Sequence, residues 1–177
     1  MISPLIQADD KERVRILELY NIHGTEEEAE YDAIAQLANS ICDRKISLVS
    51  FIDMERQWFK AHAGTDLKEN SRELALCSHT INDLENATYI PDTRKDMRFK
   101  FSPVVTGPSN IQFYAGVPIL SPEGYALGTV CVMDHVPKKL TRDQLEALVI
   151  LKTLVQKLLE MRRARFADDK KEISSVK

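Results

Sequence analysis

The stretch "IQFYAGVPILSPEGYALGTVCVMD" (111–134) decides the fold. Two apolar runs, 111–120 and 126–134, flank "SPEGY", where Pro122 and Gly124 supply turn geometry, so the segment reads as a β-hairpin. Upstream, "ISLVSFID" (46–53) is apolar and β-branched, the composition of a strand buried on both faces. "RQWFKAHAG" (56–64) follows after the short turn Met54–Glu55, predicting a second hairpin. Strands joined by hairpins argue for an antiparallel sheet with helices packed on it, which is an α+β domain.

Helices bracket these strands. "ADDKERVRILELY" (8–20) opens with acidic residues at the positive end of the dipole and repeats apolar Val14, Leu17 and Tyr20. "NIHGT" breaks it at Gly24. Thr25 and Glu28 have the spacing of a capping box for a second helix reaching about Asp43, with Ile34, Leu37, Ala38 and Ile41 on one face. Between the hairpins, 71–84 reads as a short helix and "ATYIPD" as a brief strand ended by Pro91. Residues 93–110, with two prolines and a glycine, read as a long ordered loop of the kind that carries function. "LTRDQLEALVILKTLVQKLLEMRRARF" (140–166) is a long helix with Thr141 as N-cap. The expected organisation is an N-terminal helical extension (1–24), a main domain (25–166) and a polar, disordered tail (167–177).

The 177 residues suffice for one domain, and 44% hydrophobic with 29% charged residues is ordinary for a soluble protein. A net charge of −3 gives no broad basic surface for nucleic acid or anionic lipid. The N-terminus lacks the pattern of a signal peptide, and no run approaches the ~18 apolar residues of a membrane span. Three cysteines, Cys42, Cys77 and Cys131, sit inside apolar or helical patterns, as reduced thiols of a cytoplasmic protein do.

In "LCSHTI" (76–81) a thiol lies two residues from an imidazole. On a helix, residues two apart diverge by about 200°, so Cys77 and His79 cannot form a local nucleophilic pair. They read as packing or lining groups. Neither zinc-ligand spacing nor a glycine-rich phosphate loop is present in the sequence. Trp58, Phe59, Arg98, Phe99, Phe113 and Tyr114 lie on strands or on the long loop over one sheet face. Such a set reads equally as a ligand-pocket wall or as a plain aromatic core. In the last helix Leu148, Leu151, Val155 and Leu158 fall at a/d spacing, with Leu145, Val149 and Leu159 as a second apolar face. A helix apolar on two sides predicts a dimer, with the first four as candidate interface residues.

From about Ile22 to Met161 the chain resembles a GAF domain, and more narrowly the GAF modules at the front of bacterial sensor histidine kinases and diguanylate cyclases. The carrying segments are "ISLVSFIDMERQWFKAHAG", "LCSHTI", "DTRKDMRF" and "FYAGVPILSPEGYALGTVCVMD", in that order. The resemblance implies an antiparallel sheet of about six strands. Terminal helices would cover one face, commonly as a dimer bundle, and short helices and loops would enclose a ligand pocket on the other. It places Cys77, His79, Arg98 and Phe99 on the pocket side. The signature of cyclic-nucleotide-binding GAF domains is not visible. Free methionine-R-sulfoxide reductases are stand-alone GAF enzymes with one cysteine near the position of Cys77, but their partner cysteine falls where 102–113 has none. Bilin-binding GAF domains attach a tetrapyrrole through a cysteine followed by histidine, which Cys77–Ser78–His79 echoes only loosely.

The expected function is that of a non-catalytic, cytoplasmic sensory domain. It binds an unidentified small molecule or relays a signal, as a homodimer, to a kinase- or cyclase-type effector supplied in trans, since the chain carries its own Met1 and stops at Lys177 without an output domain. No cofactor, metal, nucleic acid or membrane is called for. The rivals are a redox enzyme using Cys77, and a GAF scaffold whose pocket is filled by its own side chains and which serves only protein interaction.

Overall fold

The computed structural model describes residues 2–175. Six strands form one antiparallel sheet: β1 (Ile46–Ile52), β2 (Arg56–Ala63), β3 (Glu69–Ser71), β4 (Thr88–Ile90), β5 (Phe113–Leu120) and β6 (Ala126–Asp134), in the spatial order β3-β2-β1-β6-β5-β4. Both hairpins form as the sequence predicts, and every residue of β1 is buried. β1 and β6 pair at the centre, where Gly128 lies against β1 so closely that a Cβ would fall 1.9 Å from the Ser50 carbonyl oxygen. The short edge strand β3 occupies the start of the segment expected to be a helix over 71–84, and the helix α3 is confined to Cys77–Thr80.

Helices α1 (Asp10–Glu18), α2 (Ala29–Cys42) and α5 (Arg142–Ser175) pack on one face. Although residues 1–24 read as an extension, Ile16, Leu17, Tyr20 and Ile22 belong to the same core as α2, α5 and the sheet. Asp10, itself buried, accepts from Arg13 Nε (2.7 Å) and from both terminal nitrogens of Arg72 (2.7 and 2.8 Å). Arg13 in turn donates to the Ile52 carbonyl at 2.6 Å, fastening α1 to the end of β1.

The capping box at Thr25 does not form. Thr25 Oγ1 donates to the Ile22 carbonyl (2.9 Å) and accepts from Lys60 Nζ (2.8 Å), and α2 starts only at Ala29. Glu28 instead pairs with Lys60 (2.6 Å) and with Arg162 of α5 (2.9 Å). Lys60 reaches there because it is the extra residue of a β-bulge: Val49 faces Ala61 and Ser50 faces Phe59, leaving Lys60 unopposed. The core stripe of α2 runs through Tyr31, Ile34, Ala35, Ala38 and Cys42, so Leu37 and Ile41 are exposed.

α5 corrects the expected interface. Leu148, Leu151 and Val155 are buried in this chain's own core, and Leu158 packs partly buried against it. The periodicity located an apolar stripe correctly, but spacing alone cannot say whether a sheet or a second helix covers it. Val149, Ile150, Leu154 and Met161 are left exposed. The helix continues to Ser175, through most of the tail expected to be disordered; residues 176–177 lie outside the described residues. Among the described residues no helix is long and apolar enough to cross a membrane.

Candidate ligand cavity and buried thiol pair

The face opposite the long helices is covered by α3, by a 3₁₀ turn at Thr93–Lys95 and by α4 (Pro103–Thr106), which Ser102 caps by accepting from the Val104 N–H. This side has its own core, built from Leu76, Ile81, Ile90, Phe99, Val105 and Ile111 above Ile46, Leu48 and Tyr114 of the sheet. A cavity of about 420 Å³ remains within it, in the size range of small-molecule sites. Sheet residues Ile46, Leu48, Gln57, Phe59 and Met133 line it from below. Gly64 to Asn70 bound one side, Pro103 to Ile111 another, and Leu74, Leu76 and Cys77 a third. Among the described residues, no Lys, Arg, Asp or Glu lines it; Gln57, Thr65, Asn70, Ser109 and His135 are its polar groups.

Strand alternation divides the aromatic residues expected to share one wall. Trp58 and Phe113 point into the helix-side core: Trp58 packs on Phe51 at 5.0 Å between ring centroids, and Phe113 on Tyr89 at 6.1 Å. The Trp58 indole N–H has no hydrogen-bond partner among the described residues. Phe59 and Tyr114, one position further along each strand, face the cavity side. Of the expected residues, Phe59 and Cys77 line the cavity. His79, Arg98 and Phe99 form a staple beside it. The His79 ring meets Phe99 edge-on at 4.7 Å, and Arg98 lies over the same ring while its guanidinium grips Asp96 (3.0 and 2.7 Å). Burial, helped by the Arg98 charge, lowers the His79 pKa. These groups brace the loop rather than wait for an anion.

Cys77 finds a partner that its own helix cannot supply. Its sulfur lies 3.6 Å from Cys131 Sγ of β6 and 3.4 Å from Tyr114 Oη, which also bonds Thr80 Oγ1 at 2.7 Å. Gly116 makes room for that phenol, since a Cβ there would fall 2.3 Å from Tyr114 Oη. Alongside, Gln57 Nε2 donates to Ser50 Oγ (2.7 Å), which pairs with Thr129 Oγ1 (3.2 Å). Burial opposes ionisation of Cys77, but hydrogen bonds from Cys131, Thr129, Tyr114 and Gln57 more than offset it and bring the thiol below its usual range. Cys131 is pushed up, first by its bond to Cys77 and then by burial. All three cysteines are free thiols. Cys131 as the partner of Cys77 is not among the residues expected from the sequence. The alternation of β6 carried a signal for it, because Cys131 pairs with Gly116, on the face that Tyr114 shares. Among the described residues no group of three or more His, Cys, Asp or Glu side chains is placed to hold a metal ion.

Comparison with known proteins agrees with this geometry. The GAF domain family profile matches residues 12–158, most of the chain, and the chain belongs to that family. A cyclic di-GMP phosphodiesterase of Pseudomonas aeruginosa is 30% identical over 138 residues, which cover 78% of this chain but 23% of that protein. The chain thus spans about a quarter of the length of that relative. Among solved structures, the GAF domain of an Acinetobacter phosphoenolpyruvate-protein phosphotransferase superposes with a TM-score of 0.63 at 14% identity, covering 92% of this chain and 99% of that one. A domain of a putative two-component sensor histidine kinase from Sinorhizobium meliloti gives 0.60 at 15% identity, covering 81% and 99%. At these identities the structural matches establish the fold alone.

Proposed function

We propose that this GAF domain is a non-catalytic sensory module whose cavity takes a small, neutral and largely apolar molecule. The observation that carries the reading is that, among the described residues, no Lys, Arg, Asp or Glu lines the 420 Å³ cavity. Bringing a phosphate or carboxylate into it would strip the anion of water with no lysine or arginine to replace the loss, a cost of several kcal/mol. A neutral ligand meets walls of Ile, Leu, Phe, Val and Met, and a few polar groups suffice to orient it. The same desolvation cost weighs against a cyclic nucleotide and against free methionine sulfoxide, a zwitterion. An open cavity also speaks against a scaffold filled by its own side chains.

Occupancy would act on α4 and the 64–70 segment, which bound the cavity, and through the sheet on α5. A ligand transmits a signal only by its differential affinity for two states. The 34-residue α5 extends about 50 Å and offers a rigid lever toward an output partner of the kinase, cyclase or phosphodiesterase kind. The exposed Ile150, Leu154 and Met161 of α5, with Leu37 and Ile41 of α2, are the surface suited to a homodimer. The three free thiols fit a cytoplasmic setting.

The test compares native and denaturing mass spectra of gently purified protein. A small surplus mass that is lost on denaturation supports the reading, and its elemental composition must be that of an uncharged molecule. A retained phosphate- or sulfate-bearing ligand contradicts it.

A further inference from the structure

Cys77 and Cys131 are set apart from the third cysteine by position. Cys42 is buried on the helix side, with its thiol directed at the Gln144 carbonyl at 3.8 Å and pushed by burial up to about 11. Cys77 lines the cavity, and Cys131 lies directly beneath it in sulfur–sulfur contact at 3.6 Å. A disulfide requires the sulfurs to close to ~2.05 Å, a movement of about 1.5 Å. Cys77 belongs to a helix of four residues on the less densely packed side of the sheet, which can take up such a shift. Tyr114 Oη, at 3.4 Å, and the Cys131 thiol, at 3.6 Å, contact the Cys77 sulfur as groups able to donate to a thiolate. An apolar access route to one thiol, with a second thiol stacked behind it, is the arrangement of an attacking and a resolving cysteine.

We propose that Cys77 and Cys131 form an oxidative modification site, closed to a disulfide by a neutral organic hydroperoxide that enters through the cavity. The site deepens the sensory reading and rests on it for access. The Cys77 thiolate attacks the terminal oxygen of ROOH, the O–O bond breaks, and the alkoxide leaves with the proton that Cys77 released, as ROH. Cys77 is then a sulfenic acid. The Cys131 sulfur attacks the Cys77 sulfur, the S–O bond breaks, and hydroxide leaves with the Cys131 proton as water. In sum two thiols and one hydroperoxide give one disulfide, one alcohol and one water. Two electrons pass from the thiols to the peroxide. Because Tyr114 contacts Cys77, and α3 packs on β5 and β6, closure would change the packing of the cavity wall.

The experiment treats the reduced, desalted full chain with cumene hydroperoxide, blocks remaining thiols with N-ethylmaleimide in denaturant, and reads intact and peptide masses. The expected result is a loss of about 2 Da with a single blocked thiol, at Cys42, and a peptide pair joining residues 77 and 131. Cys131→Ser is expected to stop at a dimedone-reactive Cys77, and Cys42→Ser to behave as wild type. Val104→Trp, which narrows the cavity, is expected to slow the reaction by about tenfold. Three blocked thiols after treatment, or oxidation that consumes Cys42 or methionines first, overturns the proposal, whatever the variants do. A 77–131 disulfide formed at an unchanged rate in Val104→Trp refutes entry through the cavity. Binding of a neutral probe in the cavity without disulfide formation refutes the thiol site and leaves the sensory reading standing.

Discussion

The two faces of the sheet are made by the same strands, yet they are filled in opposite ways. On the helix side, Val49, Phe51, Trp58, Phe113, Val117 and Val130 interdigitate with α1, α2 and α5, and the long helices leave the sheet fully covered. On the other side, helices of four residues and irregular segments cover Ile46, Leu48, Phe59 and Met133, and 420 Å³ stays open. Long helices can offer a continuous apolar stripe; short turns cannot, and the space they fail to fill is available to a ligand. The lesson is a division of labour across one sheet: one face supplies stability, and the other gives up packing and keeps the cavity proposed as the site.

The largest effect that would break this comparison is expected at Asp10, which joins α1 to the sheet. Asp10→Ala would leave Arg13 and Arg72 buried without their carboxylate and cost ~3–5 kcal/mol in urea unfolding. The same group gives a pH dependence. Burial raises the Asp10 pKa, but the hydrogen bonds from Arg72 and Arg13 outweigh it, and the folded value lies below the ordinary one. Its contribution is therefore complete above about pH 5, where the unfolded carboxylate is ionised, and is lost as pH falls through the lowered folded value. Asp10→Asn should flatten that part of the acid-unfolding curve.

Next comes Leu148→Ala, on the filled face, expected to cost ~2–5 kcal/mol by leaving a hole where the packing is dense. On the open face, Leu67→Ala should change stability by less than ~0.5 kcal/mol, because Leu67 is half exposed at the cavity rim. Equal losses at the two sites would remove the distinction between the faces. Leu154→Glu sharpens it differently: stability should move by no more than ~0.5 kcal/mol, while the mass from light scattering falls from that of the proposed homodimer to that of a monomer. An unchanged dimer would place the interface elsewhere.

The helix-side face was legible in the sequence because long periodic segments and hairpins carry redundant signals. The two hairpins, α2, α5 and the antiparallel α+β sheet could all be read from apolar runs and turn residues. The site was legible only in part. The sequence points to Cys77 and Phe59, but it offers Trp58 and Phe113 alongside them, although period-two alternation sends neighbours such as Phe113 and Tyr114 to opposite faces. The α5 stripe at Leu148, Leu151 and Val155 is visible in the sequence but not its cover, because periodicity records that a stripe is covered and not by what. The Cys77–Cys131 contact joins residues 54 apart: the alternation of β6 indicates the face of Cys131, and the strand register that brings it to Cys77 has no local pattern. The bulge at Lys60 was equally silent, since nothing in "WFKAH" distinguishes an extra residue from a regular one.

A preference of the cavity for neutral over anionic ligands is the claim on which the functional account turns, and a pair of fluorophores tests it most directly. N-Phenyl-1-naphthylamine and 1-anilinonaphthalene-8-sulfonate share an aromatic scaffold and differ by a sulfonate. Fluorescence titration should find one site per chain for the neutral compound, weakened by Val104→Trp, and binding of the sulfonate at least about tenfold weaker, or ~1.4 kcal/mol. Equal affinity for the two, or a preference for the sulfonate that Val104→Trp abolishes, would contradict the account.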